Sequence, residues 1–149
     1  MAQDAAVRPV KRVPPFVPGE GMAEVVRRAP QVVKSAPILF SDTATINVFE
    51  LPGNILVTNA WLHVTTDFDG SGTSAAPSAT FSVPVATGAQ IILNAPALSL
   101  VTTTAANASG PVCVIPATGG FGIVSYTANT TTAGQFEIYM EYVDMADRL

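Results

Sequence analysis

The chain reads as an all-β protein, an antiparallel β-sandwich preceded by an extended, Pro-rich N-terminal arm. Three observations predict this. Short apolar runs rich in β-branched residues recur through residues 35–149, each closed by Pro, Gly, Asn or Ser. Their spacing is near the ~8–12 residues typical of antiparallel sandwiches, and no long stretch carries a helical period. Finally, Pro9, Pro14, Pro15, Pro18 and Pro30 crowd residues 1–34, where they remove backbone donors and hold their neighbours extended.

Two segments follow from this, an arm over 1–34 and a sandwich domain over 35–149. In the arm, Val13-Pro14-Pro15-Phe16-Val17-Pro18 is a stiff extended strap, and Met22 to Arg28 has room for two helical turns before Pro30. Its apolar residues Val10, Val13, Phe16, Val17, Met22, Val25 and Val26 exceed what a solvated tail carries, which predicts docking against a neighbour.

Val32–Phe40 and Thr45–Glu50 are the first expected strands, with Ser41-Asp42 turning between them. Leu51-Pro52-Gly53-Asn54 has Pro and Gly in the order a type II turn prefers. It feeds the most telling strand, Ile55–Thr66. Read in twos, Leu56, Ala60, Leu62 and Val64 share one face, and Ile55, Val57, Asn59, Trp61 and His63 the other. Asp67 to Ser78 is a polar loop. Ala79–Val85 follows, with Pro84 implying an edge or a bulge. Gln90–Asn94, Leu98–Thr103, Val112–Ile115, Phe121–Thr127 and Gln135–Val143 complete about nine strands, with Gly119-Gly120 and 129–134 as turns. In the last strand Phe136, Ile138, Met140 and Tyr142 face a core, while Glu137, Tyr139 and Glu141 face water or a partner. A jelly-roll-like sandwich fits this count.

At 149 residues one domain with a real core is expected. Only 12% of residues are charged, about half the usual ~25%. Mean hydropathy is +0.39, yet no window approaches the ~18 unbroken apolar residues of a membrane helix. The opening residues lack the apolar run of a secretory leader, so neither leader nor membrane contact is expected. The net charge of −4 divides sharply: residues 1–34 carry +3 and residues 35–149 carry −7, with no Lys or Arg from Ser35 to Asp147. A body this acidic does not neutralise phosphates, so no nucleic-acid partner is expected. A basic arm and an acidic body are instead complementary, within one chain or between copies of a homo-oligomer.

No catalytic constellation is visible. Cys113, the single cysteine, reads as a small buried hydrophobe. His63, the single histidine, reads as a partly buried strand residue without a Gly-x-Ser-x-Gly nucleophile elbow anywhere in the chain. Asp67-x-Asp69-x-Ser71-Gly72 copies the first half of an EF-hand loop, but position twelve is Ser78 where a bidentate Glu is required, so a hairpin loop is expected in place of a calcium site. Gly119-Gly120-Phe121-Gly122 lacks the lysine of a phosphate loop. No enzyme activity, cofactor or metal is expected. A β-sandwich module that stacks sugars on Trp61 and Tyr126 beside the 67–78 loop is the alternative class.

The segment Ala60 to Gly72 (AWLHVTTDFDGSG), the Thr/Ala/Gly-rich short strands after it, the terminal strand Gly134 to Val143 (GQFEIYMEYV) and the Pro-rich arm resemble, in style and pattern over about residues 45–143, the small virion proteins of tailed bacteriophages, particularly head-decoration (cement) and other minor structural proteins. That resemblance implies a jelly-roll-like accessory of the capsomer, commonly trimeric, located on the capsid surface of the virion, with the major capsid protein or other virion subunits as partners. A tail, neck or head-fibre component shares the pattern. On this reading the partner-binding candidates are Val13, Phe16, Val17, Arg27 and Arg28 of the arm, with Glu137 and Glu141 as acceptors, and many weak contacts are summed by oligomerisation.

Overall fold

The computed structural model describes residues 11–12, 30–42, 44–69, 77–98, 113–129 and 131–145. They form ten strands and, among the described residues, no helix: β1 (Lys11–Arg12), β2 (Gln31–Lys34), β3 (Ile38–Leu39), β4 (Thr45–Leu51), β5 (Ile55–Thr66), β6 (Ser78–Val85), β7 (Gly88–Ala95), β8 (Cys113–Val114), β9 (Gly120–Thr127) and β10 (Gln135–Asp144). One sheet, A, has the order β1-β4-β9-β6-β7. The other, B, has the order β2-β10-β5-β8, with β3 also on β10. The pairs are nested: β6 with β7, β5 with β8, β4 with β9 and β3 with β10, all antiparallel. The chain is therefore a long hairpin ribbon folded over into two facing sheets. The expected β-sandwich is the observed one.

The core lies between the sheets. Phe136, Ile138, Met140 and Tyr142 all point inward, as the alternation in β10 predicts. Two rings at the interface are packed edge-on, Phe49 of β4 and Phe81 of β6, 5.8 Å apart. Gly122 on β9 makes this approach possible, because a Cβ there would lie 2.8 Å from the Phe81 ring. A second cluster joins Phe68, Tyr126 and Phe136 at centroid separations of 5.7 to 6.2 Å. The Tyr126 hydroxyl donates to the Phe40 carbonyl at 3.2 Å, and burial pushes its pKa up to about 12.

Several expectations need correction, each for a reason of pairing. In β5 the alternation reverses midway. Glu141 stands opposite Asn59 and Tyr142 opposite Val57, so Thr58 is an extra residue, a β-bulge. Ile55 and Val57 consequently enter the core, and Leu56 turns outward. The same device at Val48 buries the consecutive Val48 and Phe49. The expected strand over 32–40 is two strands, interrupted at Ser35-Ala36-Pro37. Ser35 is buried there, and its hydroxyl accepts the Ile138 amide at 3.0 Å where the strand ladder stops ahead of Pro37. Gln31–Lys34, at the end of the basic segment, are thus part of sheet B.

In the 51–54 turn the left-handed residue is Asn54, at φ 60°, and not Gly53. Glycine is required at 53 for space: a Cβ would lie 2.0 Å from the Ala117 carbonyl oxygen. β6 is internal in sheet A, yet Pro84 lies beyond Ser82, the last residue that β9 pairs, so its missing N–H leaves no gap in the ladder. Of the expected strand 98–103, Leu98 is a buried residue outside any strand and the remainder lies outside the described residues, as does the expected helical stretch 22–28.

Candidate functional site

Of the seven partner-binding candidates, Val13, Phe16, Val17, Arg27 and Arg28 lie outside the described residues. The backbone of the basic segment is seen on both sides of them. Lys11 and Arg12 form β1, which adds in parallel to the outer edge of β4 opposite Phe49 and Glu50. Gln31–Lys34 add antiparallel to β10 as an edge strand of the other sheet. The segment therefore meets one edge of each sheet.

Glu137 and Glu141 sit on the outward face of β10, as the alternation places them. Glu137 is not the exposed charge expected of that face, being only 8% exposed. The cause is Lys34, the last cation of the basic segment, whose Nζ lies 3.0 Å from Glu137 Oε2. The carboxylate, by hydrogen bond and charge, raises the Lys34 pKa above its ordinary value. Glu141 accepts a hydrogen bond from the Thr58 hydroxyl at 2.6 Å, so the bulge residue of β5 is tied to β10 by its own side chain. These are contacts within the chain, and they organise the outer face of sheet B.

That face is laid out in cross-strand rows. Lys34, Tyr139 and Trp61 stand side by side on β2, β10 and β5, and the Tyr139 and Trp61 rings are parallel with centroids 5.7 Å apart. The next row is Val32, Glu141 and Asn59; beyond it come Val143, Leu56 and Val114. On the opposite side Glu137 faces His63, which is exposed and not partly buried as the sequence suggested, because it stands on this outward face. Of the two aromatic residues considered for sugar stacking, Tyr126 belongs to the core at 3% exposure, while Trp61 is half-buried on the face. What the sequence reasoning missed is the partnership of Trp61 with Tyr139. Their cross-strand register was the missing information, although both lay on expected outward positions.

The carboxylates of the 67–69 turn serve the fold. Asp69 accepts the amides of Thr132 and Ala133, each at 2.7 Å, and the Thr132 hydroxyl. Both its oxygens are thereby engaged with the turn ahead of β10. These bonds, the Thr132 hydroxyl first, hold the Asp69 pKa below its ordinary value. A lowered carboxyl pKa means that this contribution is complete above the unfolded value of ~3.9 and is lost as pH falls through the folded one. Amide exchange at Thr132 and Ala133 is accordingly expected to accelerate in acid below that range, and Asp69→Asn to show fast exchange already at neutral pH. Equal protection in both proteins at neutral pH would disprove the clamp. The thiol of Cys113 is buried, and desolvation raises its pKa, as suits a packing residue.

With this geometry in hand, comparison with known proteins bears on the fold. No family model and no curated protein matches the sequence. Among solved structures the chain is similar to a chain in the acidic stable capsid structure of Helicobacter pylori bacteriophage KHP30, with 12% identity, a TM-score of 0.54 and coverage of 76% of this chain and 86% of that one. It is also similar to a chain of the cyanophage Pam1 capsid asymmetric unit, with 18% identity, a TM-score of 0.53 and coverage of 95% and 97%. The fold is shared with chains of two phage capsids. At these identities the likeness is one of architecture, and it extends over almost the whole length of both chains in the second case.

Proposed function

We propose that this chain is a structural component of a bacteriophage virion, a head-decoration protein that binds and stabilises the capsid, without enzymatic activity. One observation carries the reading: the two-sheet architecture is similar, over 95% of this chain and 97% of the other, to a chain of a phage capsid asymmetric unit. The nested strand order supports it, since this is the winding of a jelly roll, an architecture common in viral capsid domains. The basic segment supports the mechanism. It reaches the edges of both sheets through β1 and β2, so residues 13–29 between them start from anchored ends. Val13, Phe16, Val17, Arg27 and Arg28 are the residues assigned to grip the shell, which is made of the major capsid protein or other virion subunits. Each contact is weak, and a homo-oligomer, trimeric on the resemblance, multiplies them through effective concentration.

The test is particle association. The full-length protein is expected in purified virions, with antibody labelling on the head, and it is expected to co-sediment with heads depleted of it. The pair Arg27→Glu and Arg28→Glu is expected to lower that binding about tenfold or more, equivalent to ~1.4 kcal/mol, with an unchanged thermal midpoint. Labelling confined to the tail or neck would overturn the head assignment. Unchanged binding by the double variant would overturn the role of the arm.

A further inference from the structure

We infer that the outer face of sheet B, centred on Trp61 and Tyr139, is the surface through which copies of this chain associate with one another. The inference deepens the oligomeric part of the function proposed above and rests on it, but it does not depend on the particle being a phage head.

The composition of the two outer faces differs in kind. On sheet A the outward residues are mostly Thr, Ser and Asn, as in the row Thr45, Ser125, Thr80, Asn94, and the exposed Phe121 and Ile91 stand apart from each other on different strands. Scattered apolar residues of that kind are normal for a protein surface. On sheet B the apolar residues are contiguous. The parallel Trp61–Tyr139 pair lies at the centre, Val32 and Val114 are 54% and 51% exposed, and Leu56 and Val143 fill the row between. A large aromatic pair ringed by aliphatic and polar groups is the layout of an association hot spot.

The size is adequate. Four strands at ~4.8 Å spacing and ten residues of β10 at ~3.3 Å give a patch of roughly 20 by 30 Å. That is on the order of 600 Å² in projection, against the ~800 Å² of accessible surface each partner commits to a typical stable interface.

Charge selects the occupant. Two copies of a body carrying −7 over residues 35–149 repel each other wherever their acids meet uncompensated. On this face the one carboxylate that is nearly buried, Glu137, is cancelled by Lys34, and Glu141 is tied down by Thr58. The face is nearly neutral and apolar on an otherwise acidic body, so it admits a second copy where other surfaces reject one. A cationic partner, by contrast, would gain little here, because the acids are already engaged.

Trp61 is the single tryptophan of the chain, which makes the test direct with unmodified full-length protein. Dilution is followed by light scattering and by tryptophan emission. The expected result is a mass that falls from a multiple of 15.4 kDa to 15.4 kDa while emission shifts to the red in step, as Trp61 is uncovered. Salt is expected to strengthen association, since it screens the repulsion between like-charged bodies. Val32→Lys with Val114→Lys, both at already exposed positions, is expected to weaken association tenfold or more while the thermal midpoint holds, and Phe121→Lys on the other sheet is expected to leave it unchanged. The inference is overturned by a monomer at all concentrations, by dissociation without an emission shift, by weakening with salt, or by sensitivity to Phe121→Lys alone. A monomer that still co-sediments with heads would remove this interface and leave the virion function standing. A well-behaved oligomer absent from virions would do the reverse.

Discussion

Replacing Gly134 by Ala is expected to destabilise the protein by about 3 kcal/mol or more, with a thermal midpoint lower by roughly 10 °C for a chain of this size. Two effects add at this position. Gly134 has φ 139°, in a region that is essentially closed to residues with a Cβ. In addition, a Cβ there would lie 2.3 to 2.6 Å from three atoms of the Phe68 ring, and that ring is itself buried against Tyr126 and Phe136. The ring has no free direction in which to retreat. Gly88 separates the two effects. It has φ 131°, yet nothing lies within 4 Å of its Cβ position, so Gly88→Ala carries conformational strain alone. Urea denaturation of the two variants is expected to show a clearly smaller loss at 88. Equal losses would mean that the contact with Phe68 contributes nothing.

Truncating Phe136 to Ala is expected to reduce stability by about 3–5 kcal/mol, a large part of the ~5–15 kcal/mol of a typical domain. Phe136 has no exposed surface and comes from sheet B, while Tyr126, 5.7 Å away, comes from sheet A. Phe68, from the turn after β5, closes the cluster. Removing the central ring therefore opens a cavity between the sheets and also deprives two aromatic neighbours of their contacts. Cooperative unfolding at lower urea is expected, with loss of near-ultraviolet dichroism from Tyr126. Because Gly134→Ala and Phe136→Ala both act on the seat of Phe68, the double variant is expected to lose less than the sum of the two. Strict additivity would show that the ring cluster is not one unit.

Much of this architecture is legible in the residues themselves. The strict alternation of Phe136, Ile138, Met140 and Tyr142 with Glu137, Tyr139 and Glu141 determines which side of β10 meets the core, because a strand exposes alternate side chains to opposite faces. The placement of Pro, Gly, Asn and Asp marks where strands end. The division of charge at Lys34 likewise stands in the sequence, and it explains why the last cation of the basic segment is found beside a carboxylate of the body.

Other features were decided only when strands met. Both faces of β5 are apolar over Ile55–Leu62, so nothing local distinguishes a continuous alternation from one interrupted at Thr58; the register of β10, with Asn59 and Val57 opposite consecutive residues, selects the bulge. The burial of Glu137 requires Lys34 on a neighbouring strand more than a hundred positions earlier, and the pairing of Trp61 with Tyr139 requires the same long-range register. Gly53 looked like a turn residue from its neighbours Pro52 and Asn54, whereas its function is to let the backbone of Ala117 approach. Local composition determines strand, turn and inward face, since these depend on a residue and its immediate neighbours. Register, bulges and the layout of the outer face of sheet B depend on contacts between distant segments, and only the assembled sandwich brings those segments together.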